Sequence, residues 1–200
     1  MTNLDLSEAP RTEDGPDQLA WQMCTDLETA CELTAEWLEG KRHYQPGYMA
    51  AQPASETGPI SLQLAAINRL GLLTSDSQPG EALTEGSGQR AYVTGYCSEN
   101  TAALVSAVLT VTDIVALWGP PGAPGSMQVC VSLDGYEEFS HLGRRGSRED
   151  TFEEYRYEAN ETLAAIIADA WELHIFDPVW GRSDYLLPRL KLALEAAAEA

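Results

Sequence analysis

Basic residues are scarce in this chain. Twelve Lys and Arg stand against 31 Asp and Glu, a formal net charge of −19. Phosphate contacts need clustered Lys and Arg, so nucleic acid and anionic membrane surfaces are not expected partners. An acidic protein can instead mimic DNA and occupy a DNA-binding enzyme. Here the acids are spread along helical faces and loops, which is the pattern of a solvated surface. No apolar run reaches the roughly 20 residues that span a bilayer. Met1 to Gly15 is polar and acidic, without the apolar centre of a secretory leader, and residues 1–15 are expected to form a disordered arm. Cysteine is also sparse. The four cysteines include no C-x-x-C, so neither a structural zinc site nor a thioredoxin-like pair is indicated. Cys24 and Cys31 fall on one expected helix and are not placed to bridge. A reduced, cytoplasmic setting follows. The three histidines, His43, His141 and His174, are far apart in sequence, and no metal is expected. The glycines of Gly119–Gly125 lack the Lys and Ser/Thr of a phosphate loop and read as a rigid connector.

What is present suits one globular domain over residues 16–200. The 200 residues are 44% hydrophobic, enough for a real core. Leu19–Leu38 reads as one long helix, with Leu27, Cys31, Thr34 and Leu38 on a common face and Gly40 beyond its end. Residues 41–58 form a loop rich in Pro, Gly and Gln. Further helices are expected at Ile60–Leu70, Thr101–Leu109, Thr162–Trp171 and Tyr185–Ala197. Strands are expected at Ala91–Cys97, Asp113–Trp118, Gln128–Leu133 and Leu173–Phe176. Gly135–Glu158 is polar and charged, and Arg144 to Arg148 holds the one basic cluster. The alternation implies an α/β or α+β single domain, a mixed β-sheet flanked by helices.

The segment Ser55–Tyr96 carries the most information. Pro59 suits a first helical turn, and Thr57 just before it sits where a hydroxyl can cap. Ile60, Leu64, Ile67 and Leu70 repeat at helical spacing, and Gly71 follows as a terminator. Thr74-Ser75-Asp76-Ser77-Gln78-Pro79-Gly80 comes next. By itself that string is turn chemistry. It is also a cluster of small donors and acceptors.

Glu56-Thr57, Asn68-Arg69-x-Gly71-x-Leu73-Thr74, Ser77-Gln78-Pro79 and Gln89-x-Ala91-Tyr92 together make a signature. It resembles the C-terminal regulatory domain of eukaryotic methylenetetrahydrofolate reductases, without a gap from Glu56 to Pro79. Weaker likeness continues at Ser98-Glu99-Asn100-Thr101, His174–Asp177 and Leu186-Leu187, and none is visible over 119–158. The resemblance implies a similar fold and a small-molecule ligand, S-adenosylmethionine or S-adenosylhomocysteine. It assigns ligand contacts to Glu56, Thr57, Thr74 and Ser77, with Ala54 and Tyr48 lining the site. A carboxylate such as Glu56 can pair with ribose hydroxyls or an amino group. The hydroxyls of Thr57, Thr74 and Ser77 donate and accept, and Tyr48 can cover an adenine face. The chain is also similar to an uncharacterised actinobacterial family sharing Ser-Gln-Pro-Gly and Asp-Pro-x-Trp-Gly-Arg, a likeness that implies no function.

Three function classes follow. The first is a binding module that senses or sequesters S-adenosylmethionine or S-adenosylhomocysteine, with or without a protein partner. The second is an enzyme that consumes S-adenosylmethionine, for which Glu56, Asp76 and Asp177 are the available carboxylates. The third is an acidic inhibitor of a nucleic-acid enzyme. No nucleophile–base pair or metal set stands out, so binding is favoured over catalysis. The flavin barrel of the reductases has no counterpart here, so reductase activity is not expected.

Overall fold

The structure, a computed structural model, describes residues 15–48, 50–120, 127–144 and 146–199. The arm expected at 1–15 lies outside them except for Gly15, which begins the first helix, and most of the Gly119–Gly125 connector lies outside them too. Among the described residues there are seven α-helices and eight strands. The helices are α1 (Gly15–Met23), α2 (Leu27–Leu38), α3 (Ser61–Arg69), α4 (Glu99–Leu109), α5 (Arg148–Glu158), α6 (Glu161–Asp169) and α7 (Leu186–Ala198). The strands are β1 (Leu73–Gln78), β2 (Glu81–Thr84), β3 (Ser87–Gln89), β4 (Tyr92–Cys97), β5 (Val115–Gly119), β6 (Val129–Asp134), β7 (Glu137–Leu142) and β8 (Trp171–Phe176). They form two four-stranded sheets, ordered β1-β4-β8-β5 and β2-β3-β6-β7. The fold is a single α+β domain. Its strands, expected to be mixed in direction, pair antiparallel throughout both sheets.

The long first helix is in fact two. Asp26 breaks it: its backbone is extended, and its carboxylate accepts from Thr29 N at 2.7 Å, capping α2. Asn160 closes the same corner, donating to the carbonyls of Trp21 and Cys24 while capping α6 through Leu163 N. The turn string after Gly71 is a strand, and so is part of the polar loop after it. β1–β2 and β3–β4 form one bent hairpin that passes from the first sheet into the second. Its tip, Glu85-Gly86, has positive φ at both residues (52° and 84°), as does the β6–β7 tip Gly135-Tyr136 (57° and 73°). The polar stretch 135–158 becomes β7 and α5; α5 starts with a Ser147–Asp150 capping box.

One face of the first sheet, through Val93, Cys97, Leu173 and Ile175, packs on α3, α4 and α7. Its other face meets Tyr155 and the α6 apolar stripe through Tyr96, and the second sheet through Tyr92 and Phe176. β4 is therefore buried along its whole length. Leu64, Ile67, Leu173, Ile175 and Leu190 are fully buried, each contributing roughly 1.5–3 kcal/mol. α2 lies at the edge of both cores, with Trp37 and Leu38 in one and Cys31 and Leu33 in the other. That position brings its C-terminal half against edge strand β1 and builds the candidate site.

Candidate functional site

α2, the loop after it, and β1 enclose a narrow cavity of about 20 Å³. Four of the six residues singled out in the sequence line it: Tyr48, Thr57, Thr74 and Ser77. Ala54 and Glu56 do not; both are exposed, and Glu56 meets the Ser55 hydroxyl at 3.4 Å. A second lobe of about 180 Å³ adjoins along Tyr48, Thr74, Ser75 and Asp76, and reaches Glu154 and Tyr155 on α5. The family likeness had no reading of this second wall, which falls in the stretch 119–158.

β1 delivers its side chains through a bulge. Thr74 pairs with Gly95 and Asp76 with Thr94, so Ser75 is the extra residue. On a regular strand residues three apart face opposite sides. The bulge re-aims the strand and lets both Thr74 and Ser77 reach the cavity. β1 lies close to β4 because residue 95 is glycine: a Cβ there would stand 2.4 Å from the Leu73 carbonyl oxygen.

Each hydroxyl has a definite setting. Asn68, fully buried, donates to Thr74 Oγ1 at 2.8 Å and to Leu64 O at 2.9 Å, and its Oδ1 accepts from Thr74 N at 3.0 Å. Thr74 Oγ1 thus accepts from the protein and keeps its own proton to donate. Thr57 was expected to cap the following helix. It makes no side-chain cap bond; its backbone is already helical, in a 3-10 turn (Gly58–Ile60) that leads into α3. Tyr48 stacks at a tilt on Trp37, ring centroids 4.8 Å apart, and its hydroxyl donates to Ser75 O at 3.1 Å. Asp76 accepts from Ser77 N at 2.8 Å and from the Tyr92 hydroxyl at 2.9 Å. Burial pushes the Tyr48 and Tyr92 phenols up, and the Asp76 carboxylate adds to it. Both tyrosines are therefore neutral donors. Partial burial, with Glu158 and Glu172 nearby, pushes the Glu154 carboxyl up.

Three further cavity residues escaped the sequence reading: Thr34, Trp37 and Gln45. All are buried, and Thr34 Oγ1, Trp37 Nε1 and Gln45 Oε1 have no hydrogen-bond partner among the described residues. Leaving one buried polar atom unmet costs about 1–3 kcal/mol. These three residues all line the cavity, so a water molecule or a ligand's polar edge there is within reach of relieving that cost. Helical periodicity gave Thr34 only as part of an apolar face, and Gln45 lay in an unstructured reading of 41–58.

The loop that carries Gln45 and Tyr48 is tied at both sides. Arg42 pairs with Asp17 at 3.0 Å and Glu36 at 2.5 Å, Tyr44 donates to Glu158 O at 2.9 Å, and Gly47 N donates to the Glu158 carboxylate. A broader groove of about 770 Å³ runs beside the starts of α2 and α4. On its wall Arg69 pairs with Glu32 and Glu39, and Ser98 caps α4. Asp177 is fully buried, accepts from Val179 N and is gripped by Arg182 at 2.5 and 2.7 Å. His174 is a satisfied core histidine, its Nδ1 accepting from Gly143 N and its Nε2 beside Glu172. Arg148 of the basic cluster pairs with Asp169. No helix of the described residues is long and apolar enough to cross a membrane.

Fold and site define an α+β domain with two antiparallel sheets and an acidic, hydroxyl-lined cleft at the edge of the first. The chain belongs to the family described as a domain of unknown function (DUF6919), whose model matches residues 16–197. No curated protein matches the chain.

Proposed function

We propose that the chain is a binding module for S-adenosylmethionine or S-adenosylhomocysteine, with its site at the α2–β1 cavity. One observation carries the reading: Tyr48, Thr57, Thr74 and Ser77, contributed by separate elements between residues 48 and 77 and named by the likeness to the reductase regulatory domain, line a single cavity. The chemistry agrees. Tyr48, backed by the Trp37 ring, offers an aromatic face for a purine. Thr57, Thr74 and Ser77 offer hydroxyls for a ribose or an amino-acid end. Asp76 and Glu154 are the carboxylates of the adjoining lobe and can face a sulfonium or ammonium group. Ligands of this size fill sites of about 300–1,000 Å³. The cavity of about 20 Å³ and its adjoining lobe of about 180 Å³ are smaller than that, so binding requires the site to widen.

The test is calorimetry and thermal unfolding with each compound. Ligand at a hundred times its dissociation constant adds about 2.7 kcal/mol to stability. S-adenosylmethionine, with its extra positive charge, is expected to bind the acidic cleft more tightly than S-adenosylhomocysteine, and to be recovered intact by mass spectrometry. Absence of any heat or melting shift with either compound at millimolar concentration rejects the reading.

A further inference from the structure

On the second sheet, three side chains of different donor chemistry come together. Cys130 on β6 and His141 on β7 are direct cross-strand partners. The Cys130 thiol sulfur, a His141 ring nitrogen and a Glu138 carboxylate oxygen all lie within 4.8 Å of one another, and His141 Nε2 stands 2.8 Å from Glu138 Oε2. We propose that Cys130, Glu138 and His141 form a binding site for a zinc-type divalent cation. The site shares no residue with the α2–β1 cavity and does not depend on its ligand.

The donor set selects the ion. A thiolate, an imidazole and a carboxylate suit zinc, whereas calcium and magnesium require oxygen alone. Zinc bonds of 2.0–2.3 Å put tetrahedral ligand atoms about 3.5 Å apart. The three atoms lie within 4.8 Å of one another, and His141 and Glu138 are exposed enough to rotate the remaining distance. The backbone arrangement is specific. Glu138 and His141 are three apart on one strand and would face opposite sides of a regular ladder. The register shifts between Cys130 and Leu133 break that alternation and bring both to the Cys130 side. Arg90 holds the Cys130 carbonyl at 2.9 Å and so fixes the strand that carries the thiol. In the structure the thiol donates to Ser132 O at 3.2 Å. On binding, the thiol proton leaves to solvent, a sulfur–metal bond replaces that contact, and a solvent oxygen takes the open fourth position. The chain's strong negative charge favours cation approach.

Cobalt(II) titration of the reduced, tag-free chain is the test. A near-ultraviolet thiolate-to-cobalt charge-transfer band should saturate at one equivalent and be displaced by zinc. Cys130→Ser should abolish the band. His141→Gln and Glu138→Gln should each weaken cobalt binding about tenfold or more. These side chains lie at the surface, so an unchanged urea midpoint confirms that each variant is folded. No band in the unaltered chain, a band that survives Cys130→Ser, or unchanged affinity in folded His141→Gln overturns the proposal.

Discussion

Asn68 and Thr74 are joined by two hydrogen bonds, side chain to hydroxyl at 2.8 Å and backbone N–H to side chain at 3.0 Å, across the turn from α3 into β1. The pair fixes which way the Thr74 hydroxyl presents itself to the cavity. Asn68→Ala strips the Thr74 N–H of its partner and leaves a gap in a fully buried position. The expected loss is about 2–3 kcal/mol of stability, read as a lowered urea midpoint. Because the hydroxyl is then free to turn, ligand affinity per folded molecule should fall as well.

Thr74→Val should lower both stability and affinity, since its hydroxyl serves Asn68 and the cavity together. Ser77→Ala is the cleaner probe. It should leave the apo melting temperature nearly unchanged and weaken S-adenosylmethionine binding roughly tenfold, as loss of one buried hydrogen bond of about 1–3 kcal/mol implies. Ligand affinity unchanged in Ser77→Ala, measured by calorimetry, would remove Ser77 from the site.

Thr57→Ala separates a cap from a ligand contact. A working cap is worth about 1 kcal/mol. The absence of a cap bond at Thr57 sets the expected stability change within about 0.5 kcal/mol. Any affinity loss then reports on the cavity wall alone.

The Arg69 guanidinium, gripped by Glu32 and Glu39, holds the Glu39 carboxyl down to about 2, with Lys41 assisting. A carboxyl depressed in the folded state contributes stability that is fully present above its ordinary value of 4.5 and is lost as pH falls toward 2. Urea midpoints of the unaltered chain should therefore drop across that window. Arg69→Gln should flatten this part of the pH dependence, leaving the share that belongs to the other lowered carboxyls, Asp113 and Asp150.

All four cysteines are free thiols. Burial pushes Cys24 up and holds Cys31 and Cys97 near about 12, so they are protonated and shielded at neutral pH. Cys130 is only half-buried. Alkylation of the native, metal-free chain should label Cys130 alone, and all four after denaturation, as read by peptide mass spectrometry. Added zinc should protect Cys130.

The sequence by itself determined the class of fold, most of the helices and four of the residues that meet in the cavity, Tyr48, Thr57, Thr74 and Ser77. These properties are local. Apolar residues at helical spacing set α3, and caps such as Ser98 set where a helix begins. Where local signals were polar, the tertiary structure decided. The string Thr74–Gln78 carries turn residues but becomes a strand, because β4 supplies a ladder partner and Gly95 admits it closely. The extended reading of 19–38 missed the break at Asp26, whose cap bond competes with helix continuation. The unmet trio Thr34, Trp37 and Gln45 joins one helix to a loop that ion pairs and hydrogen bonds hold in place. Cys130 and His141 meet through strand register, and a bulge brings Glu138 to them. Spacing along the chain records the helical period and the pleat. It does not record which strand lies beside which, or where a ladder slips, because long-range burial and pairing fix those.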